Sequence, residues 1–248
     1  MKRLLFVLLV FPLVTIAQEK QPPSTLPKNI FRVNLSSLLL KNYHVTYERG
    51  FSRKLSFSLS YRWMPKGTIP FKNYFDNDVS SNALQLNSFQ VGNSAITGEM
   101  RFYLGKKNLK GFYLAPYVRF ATFDATAPID YTSTTGGPSV TKTGDFTGKV
   151  TSTSGGLMLG WQFNISKNIL IDLQIIGAHF GSCSGELNLL SVVPLTPQEQ
   201  SSLQSSLNGI GIDPFDIKPT VNANGANIQV NGPWAGIRGA NIGIGFRF

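Results

Sequence analysis

Side chains able to do chemistry are few in this sequence: two histidines, His44 and His179, and one cysteine, Cys183, among 248 residues. His44 shares a strand face with Glu48, but four residues of extended chain set them about 13 Å apart, too far for a base and the carboxylate that orients it. His179 has Ser182 and Ser184 close in sequence, without the strand–turn–helix context of a nucleophile elbow. A lone cysteine forms neither an intramolecular disulfide nor a Cys-cluster zinc site. No catalytic, cofactor-binding or metal site is therefore expected, and the chain reads as a protein that is not an enzyme. The chemistry on offer is ionic. Arg32, Glu48, Arg62, Glu99, Arg101, Arg119, Asp172 and Arg247 all fall on the polar face of alternating segments. They suit a plug of bridged charges, or, with two arginines in excess, attraction of a carboxylate or phosphate.

Those charges need strands to carry them. Backwards from the C-terminus, Phe248, Phe246, Ile244, Ile242 and Ala240 share one face, and Arg247, Gly245, Gly243, Asn241 and Gly239 the other. The same period of two recurs at Leu55, Phe57, Leu59, Tyr61 and Trp63, interleaved with Ser56, Ser58, Ser60 and Arg62. Counting less regular runs, eight strands are expected. Charged residues are only 15% of the chain against roughly 25% in soluble domains. The polar faces hold Arg, Glu, Asp, Tyr, Gly and Ser and no central Lys, which suits a crowded closed interior better than a water-facing sheet. The apolar faces are aromatic near their ends, at Trp63, Phe102, Trp161 and Phe163, in the manner of the girdles of membrane barrels. A soluble sandwich or lipocalin-like barrel is the alternative. The expected fold is all-β, an eight-stranded antiparallel up-and-down transmembrane β-barrel with long extracellular loops.

Domain limits and orientation follow from the connections. Residues 1–17, with Lys2-Arg3, an apolar run and Thr15-Ile16-Ala17, read as a signal peptide. Residues 18–28 then form a short periplasmic segment, and 29–248 the barrel. Tight turns at 50–54, 105–110 and 165–168 alternate with long loops over about 64–93, 124–148 and 181–234, so both termini are expected in the periplasm of a bacterial outer membrane. The connection at 38–42 is the exception, being short where a long loop is due. Basic residues, Arg49, Arg53, Lys54, Lys106, Lys107, Lys110 and Lys167, cluster at the turns. They suit phospholipid headgroups or an acidic partner. Their spread, with export, speaks against nucleic acid. In the last loop, Thr196-Pro197-Gln198-Glu199 is a capping box opening a helix over 197–207, and Asn224-Gly225 is a hairpin turn. The Thr/Ser/Gly-rich stretch 132–156 reads as a mobile, solvated loop that partly extends the strands beyond the membrane.

The run 29–63, with Tyr47-Glu48-Arg49 and the basic turn after it, resembles a Bacteroidota family of small outer-membrane β-barrels of unknown function. Glu99-Met100-Arg101-Phe102-Tyr103-Leu104, residues 111–119 and the final Gly-Phe-Arg-Phe add to the likeness, and Phe246 and Phe248 resemble the signal read by barrel-assembly machinery. The resemblance implies a membrane barrel, with outer-membrane lipid and that machinery as partners, and no activity. The expected role is structural or interactive, docking a protein partner of a larger complex through the folded loop 181–234. A ligand-binding or channel-forming barrel and a lipid-modifying enzyme are the alternatives.

Overall fold

The computed structural model describes residues 29–68, 88–133, 138–191, 193–210 and 213–248. The expected signal peptide, the segment 18–28 and most of the loop 64–93 lie outside the described residues. In chain order the elements are β1 (Asn29–Asn34), β2 (Tyr43–Gly50), β3 (Leu55–Thr68), β4 (Gln90–Tyr103), β5 (Gly111–Ser133), β6 (Val140–Asn164), β7 (Ile169–Leu190), α1 (Pro197–Asn208), β8 (Asp216–Asn222) and β9 (Gly225–Arg247). Every pairing is antiparallel between neighbours in an up-and-down order, except that β9 lies between β7 and β8 and also pairs with β1. The order β1 to β7 then β9 thus returns to its first strand. The sheet has nine strands where eight were expected. The additional one, β8, arises because the hairpin turn at Asn224-Gly225 folds part of the last loop back onto β9.

Alternation sets which side chains face inward. Ser56, Ser58 and Ser60 of β3 are buried, while Phe57, Leu59 and Tyr61 between them are exposed, Leu59 by 50%. Two irregularities break the strict period. A register shift between β6 and β7 near Leu159 leaves Ile175 and Ile176 both outward, and Leu170 stays buried inside. In β9, Ala240 has a left-handed φ of 51°. The break lets Arg238 as well as Asn241 turn inward, although they are three residues apart.

The strands differ greatly in length. β1 and β2 have 6 and 8 residues, whereas β5, β6, β7 and β9 have 22 to 25. A membrane-crossing strand has about 9–11 residues, and one wall of the sheet is about twice that length. This corrects the loop boundaries. The stretch 124–148 is strand to Ser133 and again from Val140, paired rung by rung. The stretch 181–234 is strand to Leu190 and in β8 and β9. Likewise β3 runs on to Thr68 and β4 starts at Gln90. Backbone pairing asks for no apolar alternation, and runs rich in Thr and Val sustain it. The short connection after β1 is a 3-10 turn, Ser36–Leu40, closed by Lys41 in the left-handed region.

Helix α1 begins as the spacing predicts and runs one residue longer. The Thr196 hydroxyl accepts from the Glu199 backbone N–H at 3.3 Å, and the Glu199 carboxylate accepts from the Thr196 N–H at 2.9 Å. Leu203 and Leu207, one turn apart, pack with Ile129, Phe146 and Ile228 in an upper apolar cluster. A second cluster at the other end joins Ile30, Tyr103, Leu109, Tyr113, Met158 and Leu170.

Candidate functional site

Inside the sheet, polar side chains from β1, β2, β4, β6 and β7 meet in one network at the end with the tight turns. Arg32 pairs with Glu48 and donates to Gln162 Oε1 at 3.0 Å. Arg101 lies 3.0 Å from Glu99, 3.1 Å from Asp172 and 3.5 Å from Glu48. Glu48 also accepts from Ser56 at 2.6 Å and from the Tyr103 hydroxyl at 2.8 Å. The Arg101 guanidinium lies 4.5 Å from the Tyr113 ring centre. Each carboxylate thus shares its charge with at least one arginine, as buried ions require. The turn between β4 and β5 stoppers this end: Leu109 is fully buried, with its carbonyl accepting from Gln162 at 2.7 Å and from Arg247 at 3.1 Å.

Farther along the interior the chemistry changes. Arg62 donates to the neutral Asn93 at 2.6 Å. Among the described residues, Arg119 makes no hydrogen bond and no ion pair, although it is buried. Arg238 lies 3.6 Å from Glu99 and 4.7 Å from the Tyr117 ring centre. These three arginines repel one another and the buried His44. The hydroxyls of Tyr117, Ser152 and Ser154, His179 Nδ1 and Arg62 Nε are buried without a partner.

Above them, the tall wall of β5, β6, β7 and β9 encloses a cavity of about 280 Å³ with α1 and β8 as its cover. Its lining is apolar, including Phe123, Ile129, Leu207, Ile228 and Trp234, with the single thiol of Cys183 among them. Phe123 and Trp234 meet at 4.9 Å between ring centres. An ionic clasp holds the cover down: Glu199 accepts from Lys142 Nζ at 2.8 Å and from the Ser133 hydroxyl at 2.6 Å. Those bonds, with those to Thr196, hold the Glu199 carboxyl well below the usual carboxylate range, and Glu199 in turn raises Lys142.

Of the eight charges expected in one network, five form it: Arg32, Glu48, Glu99, Arg101 and Asp172. Arg247 binds carbonyls at its edge, and Arg62 and Arg119 stand apart in the upper layer. Arg238 was missed because strict alternation from Phe248 puts it outward; the small pair Gly239-Ala240 was the signal for a break. Tyr103, Tyr117 and Gln162, neutral but central, carry no charge to draw notice. Trp63 stacks on Tyr43 at 5.6 Å near the open end, while Phe102, Phe163, Phe246 and Phe248 are exposed near the tight turns, with Trp161 stacked on Phe163 at 5.6 Å. His179 lies on the inner face, whereas Ser182 and Ser184 are exposed on the outer one.

An antiparallel sheet whose pairing returns to its first strand, around a charged interior, defines the class. Residues 4–182 match the family described as "Protein of unknown function (DUF3575)", and the chain belongs to it. Among solved structures it is similar to Neisserial surface protein A (NspA), at 11% identity and a TM-score of 0.26 over 89% of this chain and 94% of that one. It is also similar to the beta domain of the Bordetella autotransporter BrkA, at 12% identity and a TM-score of 0.28 over 89% of this chain and 98% of that one. Scores this low leave the chain's own pairing and burial to carry the fold. No curated protein matches the chain.

Proposed function

We propose that the chain spans a bacterial outer membrane as a closed eight-stranded barrel, with β8 a ninth strand in its extracellular cap, and that it binds a small apolar molecule in the capped cavity. The exposed belt of Phe57, Leu59, Tyr61, Ile96, Val118 and Ile244 supports the membrane placement. No described helix is long and apolar enough to cross a membrane. The tight turns and termini then face the periplasm, and the charge network closes that end against ions.

The observation that carries the binding reading is the apolar cavity itself. At about 280 Å³ it is nearly twice the engineered cavity of roughly 150 Å³ that takes up benzene. The same loop was the expected docking surface for a protein partner. Its apolar residues Leu203 and Leu207 are instead used inward, and the face α1 shows to solvent is Gln198, Ser201, Ser205 and Asn208. That polarity favours a cover over an adhesive patch. Trp234 lines the cavity, so a Trp63→Phe, Trp161→Phe background in lipid nanodiscs makes it the sole reporter. ω-Bromooctanol should quench it saturably, and Ala127→Phe, which fills the cavity, should abolish the saturable part. Quenching that rises only linearly with bromide would overturn the reading.

A further inference from the structure

We infer that the cavity's ligand is an amphiphile whose oxyanion head, a carboxylate or phosphate, is held by Arg62, Arg119 and Arg238 while its aliphatic tail fills the apolar space above. This rests on the cavity reading and extends it.

The two sites are stacked along shared strands. Val150 lines the cavity, Ser152 is the next inward residue of β6 and Ser154 the one after, directly opposite Arg119 of β5. On β4, Val91 lines the cavity and the next inward residue, Asn93, accepts from Arg62. Each inward step is two residues, about 7 Å, so a head at the arginines and a tail in the cavity are one short chain apart.

The upper layer is also chemically incomplete. It presents three guanidinium groups and three buried hydroxyls, those of Tyr117, Ser152 and Ser154, all able to donate. Against these stand a carboxylate oxygen of Glu99, 3.6 Å from Arg238, and the amide oxygen of Asn93. Arg119 has neither. An oxyanion supplies the missing acceptors and relieves the repulsion among the cations, which a neutral tail or a second hydrophobic group would leave in place. The lower network does not compete, because its three carboxylates already occupy Arg32 and Arg101.

The test uses the Trp234 reporter in phosphatidylcholine nanodiscs at neutral pH, comparing ω-bromooctanoate with ω-bromooctanol. The acid should half-saturate at a concentration about tenfold below the alcohol. The Arg62→Gln, Arg119→Gln double variant should lose that preference, the acid and the alcohol then half-saturating together, and Arg119→Lys should keep part of it. Competition by unbrominated octanoate and octyl phosphate then assigns the head, the tighter competitor naming it. Equal curves for acid and alcohol in the unsubstituted arginine background would overturn the head site and leave the cavity standing. Saturable quenching by neither would overturn both.

Discussion

Arg32 and Arg101, in the lower interior, lie against Glu48, Glu99 and Asp172, whereas Arg62 and Arg119, in the upper interior, face serines, an asparagine and a tyrosine. Both pairs are inward-facing arginines on strands of one sheet. The difference lies in what the neighbouring strands present. In the lower half, charge is neutralised by the chain itself, so that half is finished once folded. In the upper half, cations are assembled without their counterions, at a cost that folding alone does not recover.

Breaking the matched half should have the largest effect. Glu48→Ala leaves Arg32 and Arg101 short of a carboxylate, orphans Ser56 and leaves the Tyr103 hydroxyl only Gln162 at 3.2 Å, and should cost about 3–5 kcal/mol, read from urea unfolding in vesicles. Removing a cover residue should cost somewhat less: Leu203→Ala, fully buried, about 2–4 kcal/mol of cap stability by hydrogen exchange of α1, with the lower network untouched. Thr196→Ala removes the helix cap and should cost about 1 kcal/mol by the same exchange measurement. Acid should open the cap before the barrel. Because Glu199 titrates below its ordinary value near 4.5, its clasp is fully present above that pH and is lost as pH falls through the lower, folded-state value. Pepsin cleavage within residues 193–210 should therefore accelerate below about pH 4 in the native chain, and Glu199→Gln should be cut readily throughout. The smallest effect belongs to the unmatched half: Arg119→Met should change unfolding stability by under about 0.5 kcal/mol or raise it, while Arg101→Met lowers it severalfold more. Comparable losses from both arginines would erase the contrast between the halves.

Much of this was legible in the chain. Period-two alternation is enforced wherever a strand separates two environments, so Arg32, Glu48, Glu99, Arg101 and Asp172 could be placed inside from spacing alone. The capping box at Thr196 and the turn at Asn224-Gly225 are local signals, and local structure obeyed them. The cavity was not legible, because Ala125, Val150 and Ile228 come from three strands and Leu207 from the helix, and only register brings them together. The tall wall was legible only in part, as an extension of strands within 132–156. Along the far end of β6, Thr141, Thr143 and Thr147 alternate with Lys142, Gly144 and Phe146, and one buried Phe among small and charged residues is too little for a hydropathy pattern to mark a strand. Arg238 was hidden by a backbone event, the positive φ at Ala240, and not by its own identity.

That kink makes β9 two strands in series, each with its own parity. Side chains beyond it are assigned to inside or outside by counting from the kink, not from the chain end. Straightening that kink at unchanged length would therefore exchange the faces of everything from Arg238 outward, sending Ile237 inside and Arg238 outside. Deleting one of the pair Gly239-Ala240 would instead set Arg238 and Asn241 two residues apart and restore an unbroken alternation, so this point of the strand tolerates a change of length better than a side chain that cannot adopt the left-handed φ.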